Sequence, residues 1–320
     1  MKKTKQPDGR PVLARDSRWV AAKKHLKSYW QLYVLLLPAV IYIIIFAYQP
    51  MYGAQIAFRE FSIKKGIWGS DWVGLKHFER FVTSSVFWPL LKNTLGISIY
   101  SLVAGFPAPI IFAFMLNELT MNKLKKTMQM ITYAPHFISM VAVCGMIVLF
   151  THREYGLINV FLRMLTGAEG IEFLAEPKYF KTIYVVSGIW QELGWGTIIY
   201  LAALSGVDPQ VVEASVIDGA SRFQKIIYIN LPYILPTIVI MLILRCGSLL
   251  SVGSEKILLL QNALNMESSD VISTYVYRLG IQDAQFSFTT AIGLFNSIVN
   301  MIVLSVVNYL SGKLSGSSLW

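Results

Sequence analysis

Two ionisable residues, Glu192 and Arg245, lie inside long apolar stretches of the sequence. At membrane depth such a side chain costs ~2.5–3.5 kcal/mol on insertion scales, so it usually has a function. A carboxylate there can pair with a cation or carry a proton, and a guanidinium can bind a carboxylate. Each residue lies about four helical turns, or ~20 Å, from one end of its stretch. We therefore expect both at one depth, where they pair with each other, line a common path through the membrane or snorkel outward.

Four further residues have side chains suited to contact a polar ligand along the same path. Ligand sites combine aromatic faces with a few well-placed hydrogen-bonding groups. The candidates with such side chains are Gln191, Trp195, Asn93 and Asn296. Packing is the alternative role for the aromatic residue.

Metal and disulfide chemistry are not expected. His136 follows Pro135, and no second histidine or carboxylate lies at ligand spacing from it, so we expect packing at a helix kink rather than a metal site. Cys144 and Cys246 both lie in apolar runs and are interpreted as small core residues.

The elements that position these residues are predicted to be transmembrane helices. Of the 320 residues, 55% are hydrophobic and only 14% are charged, against about 25% charged in a soluble domain. About 20 apolar residues cross ~30 Å of hydrocarbon. Six segments meet that length, at about 30–48, 90–116, 128–150, 182–204, 233–252 and 288–310. The sequence thus predicts an all-α, polytopic membrane domain over 30–320, after a basic segment at 1–29.

The distribution of basic residues predicts the orientation. Residues 1–30 hold nine Lys and Arg, and Lys123, Lys125 and Lys126 cluster in the next loop on the same side. Basic loops stay in the cytoplasm, so both termini are predicted to be cytoplasmic. The net charge of +10 is then explained by topology and contact with membrane lipids, and no nucleic-acid partner is expected.

The fourth and fifth predicted spans are joined by a partly charged stretch, "VVEASVIDGASRFQKIIYINLP". Asp208-Pro209 is a helix-start signal, and Gly219 supplies either a positive φ or a close approach. A second helix is predicted from Ser221, ending at Leu231-Pro232 before the next span. We expect a rigid hairpin on the cytoplasmic surface. It docks into a groove of a partner or anchors in the membrane interface.

The stretch "YLAALSGVDPQVVEASVIDGASRFQKIIYINLPYILP" closely resembles the EAA loop of bacterial ABC-importer permeases, in their maltose-permease-like carbohydrate branch. Ser215 replaces the second alanine of the pattern. The resemblance implies a type I importer fold and a coupling loop at residues 206–232, called the coupling loop below. Its implied ATPase-contacting residues are Glu213, Ala214, Ser215, Asp218, Gly219, Ala220, Arg222, Leu231 and Pro232.

The resemblance also implies a substrate class and a set of partners. "YQPMYGAQIAF" and "GWGTIIYLAAL" resemble permeases for larger, often acidic oligosaccharides, such as alginate and pectin-fragment importers. The implied partners are a second permease (usually a different chain), an ATPase dimer that binds ATP and Mg, and an extracellular solute-binding lipoprotein. External connections at 51–89, 151–181 and 253–287 would face that lipoprotein. The implied location is the cell membrane of a bacterium.

Two other transport functions fit parts of the same sequence. An ABC permease for a different solute fits the same features, and a secondary carrier would use Glu192 for protons, although no inverted repeat supports it. The sequence holds no His-Glu-x-x-His, Gly-x-Ser-x-Gly or paired-aspartate site, so no catalytic residue is predicted. It also has no Gly-x-x-x-x-Gly-Lys-Ser/Thr motif, so we expect no cofactor on this chain and ATP hydrolysis on another.

Overall fold

The computed structural model describes residues 26–167, 169–316 and 318–319. All but the last four residues of the predicted basic segment 1–29 therefore lie outside the described part. The chain divides into two compact units, Met1–Gln55 and Ile56–Trp320. In the first unit, helix α1 (Trp30–Ile43) is followed by a π-helical turn (Ile44–Tyr48) and by α2 (Gln49–Met51). The side chains of α1 are apolar and exposed, as expected of a surface that faces lipid.

The second unit begins with short elements outside the long helices. A 3₁₀ segment (Tyr52–Phe58), whose first four residues belong to the first unit, leads into strand β1 (Arg59–Glu60), which pairs antiparallel with β2 (Asp71–Trp72). Two short helices follow in this region, α3 (Gly66–Gly69) and α4 (Lys76–Val82).

The first group of long helices runs to residue 204. Its members are α5 (Phe87–Tyr100), a π turn (Ser101–Gly105), α6 (Pro107–Asn117), α7 (Asn122–Tyr133), a 3₁₀ turn (Ala134–Phe137), α8 (Met140–Thr151), α9 (Leu157–Thr166) and α10 (Pro177–Leu204). Pro107 and Pro177 occupy the first turns of α6 and α10, where a missing backbone N–H costs nothing.

The second group includes the coupling loop and the last long helix. Its members are α11 (Pro209–Ile217), α12 (Arg222–Lys225), a π turn (Ile226–Asn230), α13 (Leu231–Cys246), α14 (Ser254–Leu260), α15 (Met266–Ser269), α16 (Ile272–Tyr277), a π turn (Arg278–Gln282) and α17 (Phe286–Ser315).

Four helical segments of the described chain are long and apolar enough to cross a membrane. They are Trp30–Phe58, Phe87–Asn117, Arg222–Cys246 and Phe286–Lys313. Helix α10 has 28 residues, which is long enough, but it carries Lys178, Lys181 and Glu192 and is therefore less apolar. The count of six spans and the cytoplasmic termini remain predictions.

The predicted span at 128–150 is broken in the structure. Helices Asn122–Phe137 and Met140–Thr151 meet at 101°, so they form a bent pair rather than one continuous helix. Pro135 lies in the 3₁₀ turn at the break, and Ser139 caps α8 by accepting from the Ala142 N–H at 3.3 Å. Proline lacks the N–H that an α-helical hydrogen-bond ladder uses and so weakens the helix here, and a new N-cap begins the next helix in a new direction.

Helix α10 packs at the centre of the second unit. One buried cluster joins Phe180 of α10 to Ile97, Val143 and Ile257 of α5, α8 and α14. A second cluster joins Tyr200 and Leu204 of α10 to residues of α6 and α13. A third cluster, centred on Phe81, packs α4 against α5, α16 and α17. Because α10 takes part in two clusters, it is held by helices on several sides.

Candidate coupling loop and translocation cavity

The first half of the coupling loop is a capped helix that ends in a left-handed turn. Asp208 accepts a hydrogen bond from the Gln210 N–H at 2.9 Å, which caps α11. After Asp218 the chain turns at Gly219, whose φ is +76°. The Ala220 N–H then donates to the Ser215 carbonyl at 2.9 Å, which satisfies a carbonyl at the helix end. A Cβ built on Gly219 would meet nothing within 4 Å, so the glycine is needed for its positive φ rather than for a close approach.

The second half begins with a capping box. Ser221 accepts from the Gln224 N–H at 3.3 Å, and the Ser221 N–H donates to Gln224 Oε1 at 2.8 Å. The expectation that Leu231-Pro232 ends this helix is wrong, because the helix continues from Arg222 to Cys246 as one segment of 25 residues. The π turn at Ile226–Asn230 widens the helix just before Pro232, which accommodates a residue without an N–H donor. The coupling loop therefore passes without a break into the fifth predicted span.

An ion pair fastens this helix to the preceding part of the bundle. Lys225 Nζ lies 3.7 Å from Glu118 Oε2, and the two side chains are only 17% and 18% exposed. Glu118 directly follows α6, so the pair links the end of α6 to α12. The sequence analysis missed it, since the two residues are far apart in the chain and neither lies in an apolar run.

The loop presents an apolar surface that the described part of the chain does not cover. Val216, Ile217, Phe223 and Tyr228 are exposed, with Ile217 at 86%. Of the predicted contact residues, six are exposed and three are half-buried. The exposed ones are Glu213, Ala214, Asp218, Gly219, Arg222 and Pro232, and the half-buried ones are Ser215, Ala220 and Leu231.

A cavity of about 540 Å³ lies between α5–α6, α10, and the end of α13 with the chain that follows it. This central cavity is lined by four of the six predicted pathway residues, namely Gln191, Glu192, Trp195 and Arg245. Lys256 of α14 also lines it. The cavity therefore brings charged, amide and aromatic groups from three parts of the chain to one space.

Asn93 and Asn296 do not line the central cavity. Asn93 is buried in α5, where its amide donates to the backbone carbonyls of Glu267 at 2.7 Å and Asp270 at 3.1 Å. It therefore fixes the connection at 253–287 onto the bundle. Asn296 lies on α17, and its Oδ1 is buried without a hydrogen-bond partner among the described residues.

Glu192 pairs with His136 rather than with Arg245. His136 Nδ1 lies 3.1 Å from Glu192 Oε2, and the imidazole stacks on Trp195 with ring centroids 4.3 Å apart. A pair of Glu192 with Arg245, one of the three arrangements considered from the sequence, is absent from the ion pairs of the described residues, although both line the cavity. The reason is the 101° bend, which places His136 of the 3₁₀ turn against α10.

Two more contacts hold this bend against α10. A Cβ on Gly194 would lie 2.2 Å from the Thr132 carbonyl oxygen, so only glycine permits this approach of α7 to α10. Gln191 Nε2 also donates to the Ile138 carbonyl at 3.4 Å. The wall of the cavity that carries Glu192 is thereby fixed in position.

Lys256 is a cavity residue that the sequence analysis missed. It is only 5% exposed, and its Nζ donates to the Tyr184 carbonyl of α10 at 3.0 Å. Burial lowers the pKa of Lys256 from 10.5 to about 8. The signal in the sequence was a lysine followed at once by the apolar run "ILLL", just after a predicted span.

Among the described residues, no three His, Cys, Asp or Glu side chains are grouped so as to hold a metal ion. Both cysteines are buried and unbonded to each other. What the arrangement offers chemically is binding by charge, amide and aromatic groups.

Comparisons with known proteins agree with this geometry. Residues 93–316 match the family model described as "Binding-protein-dependent transport system inner membrane component". Protein LplB of Bacillus subtilis is 42% identical over 312 residues, 97% of each chain. The polygalacturonan/rhamnogalacturonan transport system permease protein YteP of the same organism is 43% identical over 282 residues, 88% of each chain.

A solved structure is similar over most of its length. It is a chain in the crystal structure of a bacterial alginate ABC transporter in complex with an alginate pentasaccharide-bound periplasmic protein. It is 40% identical, with a TM-score of 0.85, and the match covers 92% of this chain and 99% of that one. The resemblance drawn from the coupling loop, and the permease fold it implied, are confirmed. The chain therefore belongs to the family of inner-membrane components of binding-protein-dependent transport systems.

Proposed function

We propose that this chain is the permease subunit through which an ATP-driven importer moves an oligosaccharide across the cell membrane. The observation that carries the proposal is the coupling loop, a capped and turned element with an uncovered apolar surface. An apolar helical surface of this kind fits a groove on a partner, and the partner proposed here is the ATPase subunit. Membrane anchoring of the loop is the competing role, and cross-linking separates the two.

The proposed assembly contains more than one chain. A second, different permease completes the path, an ATPase dimer holds ATP and Mg in the cytoplasm, and an extracellular lipoprotein delivers the sugar. Both termini of this chain are cytoplasmic in the proposal, which puts the coupling loop on the ATPase side. The family's dependence on a binding protein supports the external partner.

The continuous helix Arg222–Cys246 suggests how force reaches the substrate. At about 1.5 Å per residue it is ~37 Å long, and it joins the coupling loop to Arg245 at its far end. A rigid element that the ATPase dimer displaces on closing would move Arg245 with it. This is switching between two packed arrangements rather than continuous bending.

The residues that line the central cavity support the proposal that the oligosaccharide carries carboxylates. Arg245 lines it and takes part in no ion pair among the described residues, so its guanidinium is available to a uronate carboxylate. Trp195 offers an aromatic face, and Gln191 an amide. The names of similar proteins point the same way, since they refer to polygalacturonan, rhamnogalacturonan and alginate.

Reconstitution of the complete transporter into liposomes tests the proposal. We expect labelled oligogalacturonate to enter only with ATP and binding protein, and to be unaffected by a proton ionophore. Uptake that does not depend on ATP but is abolished by the ionophore would instead support a carrier that uses Glu192. Replacement of Arg245 by Leu is expected to reduce uptake, and Arg245→Lys is the matched control that keeps the charge. Unchanged uptake and complex yield with Arg245→Leu would remove the assigned role of Arg245.

A further inference from the structure

Lys256 is a buried cation on the wall of the central cavity. It belongs to α14, outside the predicted spans, and is 5% exposed. None of the ion pairs among the described residues includes it. Its one side-chain hydrogen bond in the described structure goes to the Tyr184 carbonyl, so two of the three ammonium protons are left for another partner.

The surroundings of Lys256 leave space for its ammonium group. A Cβ on Gly188 would lie 3.4 Å from Nζ, so α10 passes close to the charge at this position. The Tyr184 ring lies beneath it, with its centroid 4.9 Å from Nζ, which is a favourable cation–π distance. The charge is thus stabilised by a carbonyl and a ring face, and no carboxylate in the described part of the chain pairs with it.

The charged and titratable groups around Lys256 come from α10, α13, α8 and its own helix. Glu192 of α10 lines the same cavity and favours the charged lysine, but it is already paired with His136. Arg245 of α13 adds a second positive charge, and Cys144 of α8 contacts the Lys256 backbone carbonyl. Glu255 is the neighbour of Lys256 on α14 and has no ion pair with it. Among the described residues, the cavity is therefore lined by two cations that take part in no ion pair and by one carboxylate that already has a partner.

We propose that Lys256 is a specificity-determining residue that binds a carboxylate of the translocated oligosaccharide in the central cavity. The inference rests on the proposed function and adds to it a second cationic contact besides Arg245. A carboxylate that accepts hydrogen bonds from Nζ compensates for the hydration that the ammonium loses on burial. A neutral sugar offers only uncharged acceptors, which bind the ammonium more weakly, so the contact favours acidic over neutral substrates.

The pKa of Lys256 is consistent with a protonated side chain that binds a carboxylate at neutral pH. Burial lowers it to about 8, so the side chain is still mostly protonated at neutral pH and becomes neutral over the next two pH units. Uptake of an acidic sugar should therefore weaken as pH rises from about 7 to about 9, because the unoccupied site loses its proton. An arginine in its place would keep its charge over this range.

The test compares Lys256→Met, which keeps the length of the side chain but removes the charge, with Lys256→Arg. The complete reconstituted transporter is given oligogalacturonate and, in parallel, the methyl-esterified oligomer, which is similar in shape but neutral. Each variant is compared with wild type for the same sugar, so the preference of the binding protein cancels. A lost hydrogen bond to a charged group predicts a roughly 10- to 100-fold reduction for Lys256→Met with the acidic sugar. We expect a smaller change, at most about fivefold, for the methyl ester, since its carbonyl is an uncharged and weaker acceptor.

The outcomes separate the two proposals. Equal losses for both sugars with Lys256→Met, or no loss for either, overturn the assignment of Lys256 while oligosaccharide import stands. If wild type imports neither oligomer, the proposed function itself fails. The pH profile gives a readout that does not depend on Lys256→Met folding. Wild type should lose acidic-sugar uptake between about pH 7 and pH 9 relative to Lys256→Arg, and identical profiles overturn the inference.

Discussion

Replacement of Gly219 by alanine tests how the geometry of the coupling loop serves transport. Gly219 has a φ of +76°, and a Cβ there would meet nothing within 4 Å, so the only cost is conformational. That cost is about 1–2 kcal/mol for an ordinary L residue in the left-handed region. It corresponds to a roughly 5- to 30-fold smaller population of the turn. Because the ATPase is proposed to bind the turned form, its affinity for the permease should fall by up to that factor.

The assay measures how much ATPase subunit co-purifies with the permease and how fast ATP-driven uptake proceeds. Gly219→Asn should recover much of the loss, because asparagine tolerates the left-handed region better than alanine does. Gly145→Ala is the matched control, since Gly145 lies inside α8 with a helical φ and open space at its Cβ position. If Gly219→Ala retains the ATPase and transports as well as Gly145→Ala, the turn is not needed for coupling.

Three further predictions follow from single contacts. Lys225→Glu and Glu118→Lys should each reduce complex yield, and the double exchange should restore it, because their ion pair is largely shielded from water. Glu192→Gln should lower the melting temperature by loosening His136, yet leave uptake dependent on ATP, whereas loss of that dependence would favour a carrier. Lys256→Met should have a larger free energy of unfolding than wild type at about pH 7, by at most ~3 kcal/mol, and therefore a higher melting temperature; the difference should shrink by about pH 9.5. The sign follows because a charged, buried Lys256 destabilises the fold fully below its lowered pKa and ceases to do so as pH rises toward 10.5.

The coupling loop was the part most accessible to sequence reasoning. Its helix starts depend on Asp208 and Ser221, which cap through side chains within three residues, and its turn depends on Gly219. Such signals are local, so they can be read in order along the chain. The continuation through Pro232 could not be predicted in this way, because it depends on a π turn rather than on the proline alone.

The contents of the cavity depend on packing over long distances. Equal depth along two helices suggested that Glu192 and Arg245 share a site, and they do line one cavity. They do not pair, because a bend of 101° brings His136 to Glu192. Counting residues along each helix could not predict that bend. Lys256 was hidden for a similar reason, since its burial comes from α10 rather than from its own helix.

The central claim is that the coupling loop meets an ATPase in the cytoplasm, and a cysteine placed at Ile217 tests it most directly. Ile217 is 86% exposed, whereas the native Cys144 and Cys246 are buried, so a cross-linker should react first at the introduced site. The account predicts a cross-link from this site to the ATPase subunit, with a yield that changes on ATP binding, and labelling only by reagents that reach the cytoplasm. Labelling from outside the cell, or a loop that never cross-links to the ATPase in an active transporter, would contradict it.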